Sequence, residues 1–194
     1  MIKSIYLIGS LRNPEVVQFA NDLEQQGFEA FADWQSPGPD ADDFLRDYSK
    51  ARGRNYKQTL QSHAARHIFE FDLHHIKRCD AAIMLMPAGK SGHLELGYVR
   101  GLGKPGYILF DKEPERVDVM YQFATDIFFK KEELFAELEK NSVPGIIRRE
   151  RRARETLMGT TGNFCTCGKT TPAEHTTLDG ILLRRCIRCG GAVQ

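Results

Sequence analysis

The most constraining feature of this chain is Ala81 to Met86, six consecutive apolar residues entered from Asp80 and left through Pro87-Ala88-Gly89-Lys90. A strand with apolar side chains on both faces must be covered on both, the condition of a parallel sheet flanked by helices. The surrounding segments alternate accordingly. Ile2 to Ile8 reads as a β-branched and aromatic strand stopped by Gly9, Pro14 to Gln26 carries Val16, Val17, Phe19, Ala20 and Leu23 at helical spacing, and Phe28 to Ala32 reads as a second strand. Gln35 to Asp43, with two prolines and a glycine, is expected to be an acidic loop of the kind that covers sites. Tyr56 to Cys79 lacks Gly and Pro and spaces Leu60, Ala64, Ile68, Phe71 and Ile76 helically, which predicts one helix on the order of 35 Å long. Leu94, Tyr98 and Leu102 mark a helix ending at Gly103; Tyr107 to Phe110 and Ile127 to Phe129 follow as strands, and Lys130 to Lys140 as a charged helix. The pattern predicts an α/β fold: an open, mostly parallel sheet with helices on both faces.

Lys and Arg number 27 against 26 Asp and Glu, so a net charge of +1 offers no global attraction to nucleic acid or membrane. The balance conceals two unlike parts. Residues 1–142 hold 18 basic and 22 acidic side chains, net −4, whereas residues 143–194 hold 9 and 4, net +5. The expected organisation is a main domain over 1–142, a basic linker over 143–162 containing Arg148 to Arg154, and a small tail domain over 163–194. No apolar run approaches the roughly 18 to 20 residues that span a bilayer, and the opening residues lack signal-peptide architecture, so the expected location is cytoplasmic with no membrane partner.

Four of the five cysteines lie in the tail. Cys165-x-Cys167-Gly168 and Cys186-x2-Cys189-Gly190-Gly191 form two hooks, and four soft ligands in two hooks suit tetrahedral Zn2+ in a zinc ribbon, with His175 as a substitute ligand. Such a closed site is structural, and no organic cofactor is expected. The basic run beside it is either a solvated helix face or a contact to nucleic acid, and the ribbon equally suits a protein partner.

In an open parallel sheet, ligands bind beyond the carboxyl ends of the strands. Gly9-Ser10-Leu11-Arg12 there offers amides, a hydroxyl and a guanidinium, a set suited to a phosphate or a ribose hydroxyl. Glu95 lies about one turn inside the helix leaving the third strand, with Gly92, Gly97 and Gly101 allowing close approach. Asp72 lies eight residues before Asp80, which places it roughly 12 Å above the start of that strand. Two carboxylates can thus converge on one cleft, as glycosidic chemistry requires. Trp34 could stack on a base or fill the core, and Ser91 could add a hydroxyl to the site or cap its helix. His63, His67 and Glu70 are a conceivable metal set but read as surface, and Cys79 reads as core.

Ile5-Tyr6-Leu7-Ile8-Gly9-Ser10-Leu11-Arg12, Asp72 with Asp80-Ala81-Ala82-Ile83, and Ser91-Gly92-His93-Leu94-Glu95-Leu96-Gly97-Tyr98-Val99 with Gly103-Lys104-Pro105 together resemble the nucleoside 2′-deoxyribosyltransferase family, which includes nucleoside-monophosphate N-glycosidases. The resemblance covers about residues 1–140. It implies a flavodoxin-like fold, Glu95 as the nucleophile that attacks the anomeric carbon, Asp72 as the proton donor to the departing base, and Tyr6 as the group that orients Glu95. The transferases commonly carry a further aspartate near the position of Gly89-Lys90, absent here, whereas Gly-Ser-x-Arg is similar to the monophosphate glycosidases and implies Ser10 and Arg12 near a 5′-phosphate.

The expected activity is therefore cleavage of a nucleoside or nucleotide N-glycosidic bond, or deoxyribosyl transfer, through a glycosyl-Glu95 ester, with hydrolysis of a nucleoside or deoxynucleoside 5′-monophosphate favoured. The expected binding set is Gly9, Ser10, Arg12, Trp34, Ser91 and Gly92. A nucleotide-sensing module without chemistry, or a ribbon adaptor to nucleic acid or protein, are the competing readings. Val119, Met120, Tyr121, Phe123, Ile127, Phe128 and Phe129 are more apolar bulk than one strand and one turn easily bury, and with the family resemblance they predict a homo-oligomer.

Overall fold

The computed structural model describes residues 1–142 and, as backbone alone, 173–178 and 181–186. The chain divides into two compact units, Met1–Arg148 and Arg149–Gln194.

In the first unit, five parallel strands are ordered β2 (Glu29–Phe31), β1 (Ser4–Ile8), β3 (Ala81–Leu85), β4 (Gly106–Leu109), β5 (Asp126–Phe128). Strand alternation divides their side chains between two cores. Ile5, Leu7, Ile83, Leu85 and Tyr107 face Val16, Phe19 and Leu23 of α1 (Glu15–Gln25) and Leu134 and Leu138 of α6 (Lys131–Lys140). Tyr6, Ile8, Ala82, Met84 and Ile108 face Ile76 of α4 (His63–Arg78) and Leu96 and Val99 of α5 (Lys90–Gly101). β1 and β3 are buried at every position, as strands covered on both faces must be.

Two expectations are corrected. The helix over 56–79 is two helices, α3 (Tyr56–Leu60) and α4, because Ser62 leaves helical geometry at ψ 155° and its hydroxyl accepts the Ala65 N–H at 3.3 Å. A helix can be broken by a good cap without Gly or Pro. The 35–43 segment is loop only over residues 36–40, since a 3-10 turn (Asp33–Gln35) ends at its first residue and α2 (Ala41–Ala51) takes its last three, with Asp42 and Asp43 in its first turn.

The Gly103-Lys104-Pro105 segment acquires a mechanical role. Gly103 sits at φ +74° beyond the end of α5, its N–H donating to Arg100 O and that of Lys104 to Val99 O, a glycine-dependent helix stop. The Lys104 ammonium then bonds the carbonyls of Ile76, Lys77 and Cys79 at the carboxyl end of α4. Asp80 completes this lower end: its Oδ2 accepts the N–H groups of Lys3 and Ser4 at 2.9 Å and the Ser4 hydroxyl at 3.1 Å. Cys79 is buried beside them, and burial pushes its thiol up to about 11, consistent with an inert core residue.

The second unit contains an antiparallel pair, β6 (Ala173–Leu178) and β7 (Ile181–Cys186), in a register that opposes Ala173 to Cys186. Cys165, Cys167, Cys189 and the basic run lie outside the described residues.

Candidate functional site

The strand order reverses between β1 and β3, so the crevice beyond their carboxyl ends is where this topology receives ligands. Gly92 brings α5 down onto that edge. A Cβ there would stand 2.9 Å from Ile8 Cγ2 and 3.4 Å from the Ala88 methyl, so only glycine permits this approach. The helix starts from Gly89, whose extended backbone occupies the N-cap position, and not from Ser91. Ser91 is thereby corrected as a cap: it is exposed in the first turn, and its hydroxyl makes no hydrogen bond among the described residues.

One turn further, Glu95 is half-buried and meets both Asp72 of α4 and Tyr6 of β1. Burial pushes the Glu95 carboxyl up from 4.5 to about 7, the neighbouring Asp72 charge pushes it further the same way, and hydrogen bonding from the Tyr6 phenol pulls it back. Asp72 is raised from 3.8 to about 6 by burial, and its Oδ1 has no hydrogen-bond partner among the described residues. Tyr6 is itself fully buried, and burial together with Glu95 and Asp72 raises its phenol strongly, so it stays protonated and can donate to Glu95. Three groups from three elements thus converge, and two of them are carboxyls held near neutrality.

An aromatic wall backs this triad. Tyr6 stacks on Phe31 at 5.4 Å between centroids, and Phe31 stacks on His75 at 3.6 Å and 8°. The His75 pKa is lowered by burial and by Arg78, which disfavours the charged form of the ring. These partners were not foreseen, because Phe31 and His75 are unremarkable in their own segments.

Gly9 is required by packing: a Cβ would lie 2.7 Å from Val16 Cγ2, with the Trp34 ring 3.7 Å away. Trp34 is anchored by its indole N–H on Leu7 O at 2.8 Å and is packed against both cores. The loop after β1 is shaped by Ser10, whose hydroxyl accepts the Arg12 N–H at 3.2 Å, and by Gln35, whose amide donates to Asn13 O at 2.7 Å. Arg12 itself turns to Asp43 of α2 at 2.8 Å. His93, another residue the sequence did not single out, spans from Gly89 O at 2.8 Å to the Tyr121 hydroxyl at 3.1 Å, tying the start of α5 to the 3-10 turn Val119–Phe123. Its i, i+4 spacing from Gly89 was the available signal. His63, His67 and Glu70 are exposed, and no group of three metal-ligating residues is found among the described residues.

The chain is similar to the 2-deoxyribosyltransferase of Bacillus psychrosaccharolyticus, at 20% identity and a TM-score of 0.49 over 74% of this chain and 95% of that one. It is also similar to the CMP N-glycosidase of Clostridium botulinum, at 17% identity and a TM-score of 0.42 over 71% and 99%. No family model and no curated protein matches the chain. A functional reading therefore rests on the side chains of the crevice.

Proposed function

We propose that this protein cleaves the N-glycosidic bond of a nucleoside or deoxynucleoside 5′-monophosphate by a retaining, two-carboxylate route. The observation that carries the reading is the pair Glu95 and Asp72, both raised toward neutral pH and coupled to each other at the β1/β3 crevice. In the first step a Glu95 oxygen forms a bond to C1′ while the C1′–N bond breaks, its electron pair leaving with the base, which takes a proton from Asp72. In the second, Asp72 removes a proton from water, the water oxygen bonds to C1′, and Glu95 departs as a carboxylate.

These roles require the shared proton to sit on Asp72, although Glu95, at about 7, lies above Asp72, at about 6. Tyr6 favours ionised Glu95, and Asp72 has no donor favouring its ionised form at Oδ1. A base nitrogen or carbonyl accepting a hydrogen bond from protonated Asp72 supplies the remaining bias.

The strand-end position of Ser10 and Arg12 supports the phosphate preference, and the absence of an aspartate at Gly89-Lys90 supports water over a second base as acceptor. Incubation with nucleosides and their monophosphates, with free base followed chromatographically, tests the activity. Base release undiminished in Glu95→Gln, or intact ligand recovered from a tight complex, would replace this reading with another nucleophile or with a sensing role.

For the tail, the β6/β7 hairpin supports a zinc ribbon. Its open end opposes Ala173 to Cys186, and in sequence Cys167 precedes Ala173 by six residues while Cys189 follows Cys186 by three. One zinc per chain on metal analysis is expected, lost together with Cys186→Ser. Val119, Met120, Phe123 and Phe129 are exposed, as a homo-oligomer contact through this segment requires, whereas Phe128 is core. A mass of 22.0 kDa in light scattering across dilution would exclude that assembly.

A further inference from the structure

Asp43 is held by two arginines from different parts of the chain. Its Oδ2 accepts Arg12 Nη2 at 2.8 Å, its Oδ1 accepts Arg46 Nη1 at 2.5 Å, and Arg46 Nε bonds Asp47 Oδ1 at 2.9 Å. Arg12 belongs to the strand-end loop and Arg46 to α2, so the carboxylate sits where two guanidiniums converge on separate oxygens of one anion. Convergence of this kind suits a phosphoryl group better than a carboxylate. A phosphoryl dianion brings two charges and three acceptor oxygens to donors that here share one charge and two.

We infer that Asp43 occupies the position a ligand phosphate would take, and that Arg46 is a second phosphate ligand, delivered by α2 when Asp43 is displaced. The inference rests on the proposal that the ligand carries a 5′-phosphate. All three side chains are exposed, at 56%, 38% and 52% for Arg12, Asp43 and Arg46, so the internal pair is weak and exchangeable, worth a factor of about two to five. Displacement leaves the first turn of α2 with Asp42 still at its positive end. The device sets specificity as well as affinity, because a nucleoside without phosphate gains nothing by displacing Asp43.

The test is calorimetric titration of the full chain carrying Glu95→Gln, so that ligand is not consumed, with the four deoxynucleoside 5′-monophosphates and their nucleosides. Asp43→Asn is expected to raise the ratio of monophosphate to nucleoside affinity about two- to fivefold, and Arg46→Gln to lower it by a similar factor. Opposite signs are decisive, since mere loosening of α2 would move both ratios the same way. If the protein prefers monophosphates but neither variant changes the ratio, or both change it in one direction, Asp43 and Arg46 are an ordinary surface pair. If no monophosphate binds at all, the proposed function itself fails and this inference with it.

Discussion

Asp72 and Asp80 lie eight residues apart at opposite ends of one structural column, and their surroundings differ in one respect. Burial raises the pKa of both, but at Asp80 the N–H groups of Ser4 and Lys3 and the Ser4 hydroxyl outweigh it and hold the carboxyl below its ordinary range. At Asp72 nothing among the described residues offsets burial. The lower end of the α4/α5 pair is therefore a place where polar groups are satisfied and hold the fold together, as Lys104 on three carbonyls also shows. The upper end leaves the Asp72 carboxyl with an oxygen that has no hydrogen-bond partner among the described residues. Unmet capacity costs stability and is available to a ligand.

The sharpest way to break this comparison is at the upper end. Glu95→Gln is expected to lower kcat by about 10³-fold or more and Asp72→Asn by about 10²- to 10⁴-fold, measured as base release, while both variants stay folded. The lower end should respond in the opposite manner. Asp80→Ala removes the acceptor of three hydrogen bonds and is expected to cost roughly 2 to 4 kcal/mol in denaturant unfolding, with the pH profile of any remaining activity unshifted. A stable Asp80→Ala protein with altered catalysis would invert the assignment of the two ends.

Stability and pH sharpen the contrast. Because the folded pKa of Glu95 is raised from 4.5 to about 7, the folded state retains a proton that the unfolded chain releases over that window. Its contribution is full below pH 4.5 and is lost as pH rises through about 7, so the charged group destabilises the fold at pH 8. Glu95→Gln escapes that loss and is expected to be more stable than the parent by on the order of 2 kcal/mol at pH 8, with the difference vanishing near pH 4. Asp80 has the opposite sign, with stability present above its ordinary pKa of 3.8 and lost on acidification. The smallest effect is on the rate profile. The singly protonated pair predominates between about pH 6 and 7, so kcat/KM should peak there, falling on the acid side as the nucleophile is protonated and on the alkaline side as the proton donor is lost. A profile flat from pH 5 to 9 would remove the pair from the chemistry.

Much of the framework was legible in local pattern. The six-residue apolar run, the helical spacing of Val16, Phe19 and Leu23 and the glycine stop at Gly103 each depend on neighbours within a few residues, and each element formed where its pattern lay. The break at Ser62 and the early start of α2 escaped notice because caps compete with helix continuation by small margins that composition does not display. Glu95 and Asp72 could be placed on one edge by counting rise per residue. Their electrostatic coupling could not, since it depends on how far burial excludes water at that point.

By itself the sequence determined an alternating α/β chain with apolar strands at its centre, a glycine-bearing helix that carries Glu95, and a cysteine tail of different composition. Periodicity and punctuation are local and survive in any arrangement of the elements. Only the tertiary structure decided that Asp80 is structural while Asp72 is left with an unpartnered oxygen, that Arg12 meets Asp43, and that His93 reaches Tyr121. Those pairings join residues 28 to 77 positions apart or depend on what fails to join. Crossover placement and helix packing choose them, and no pattern within a single element contains that information.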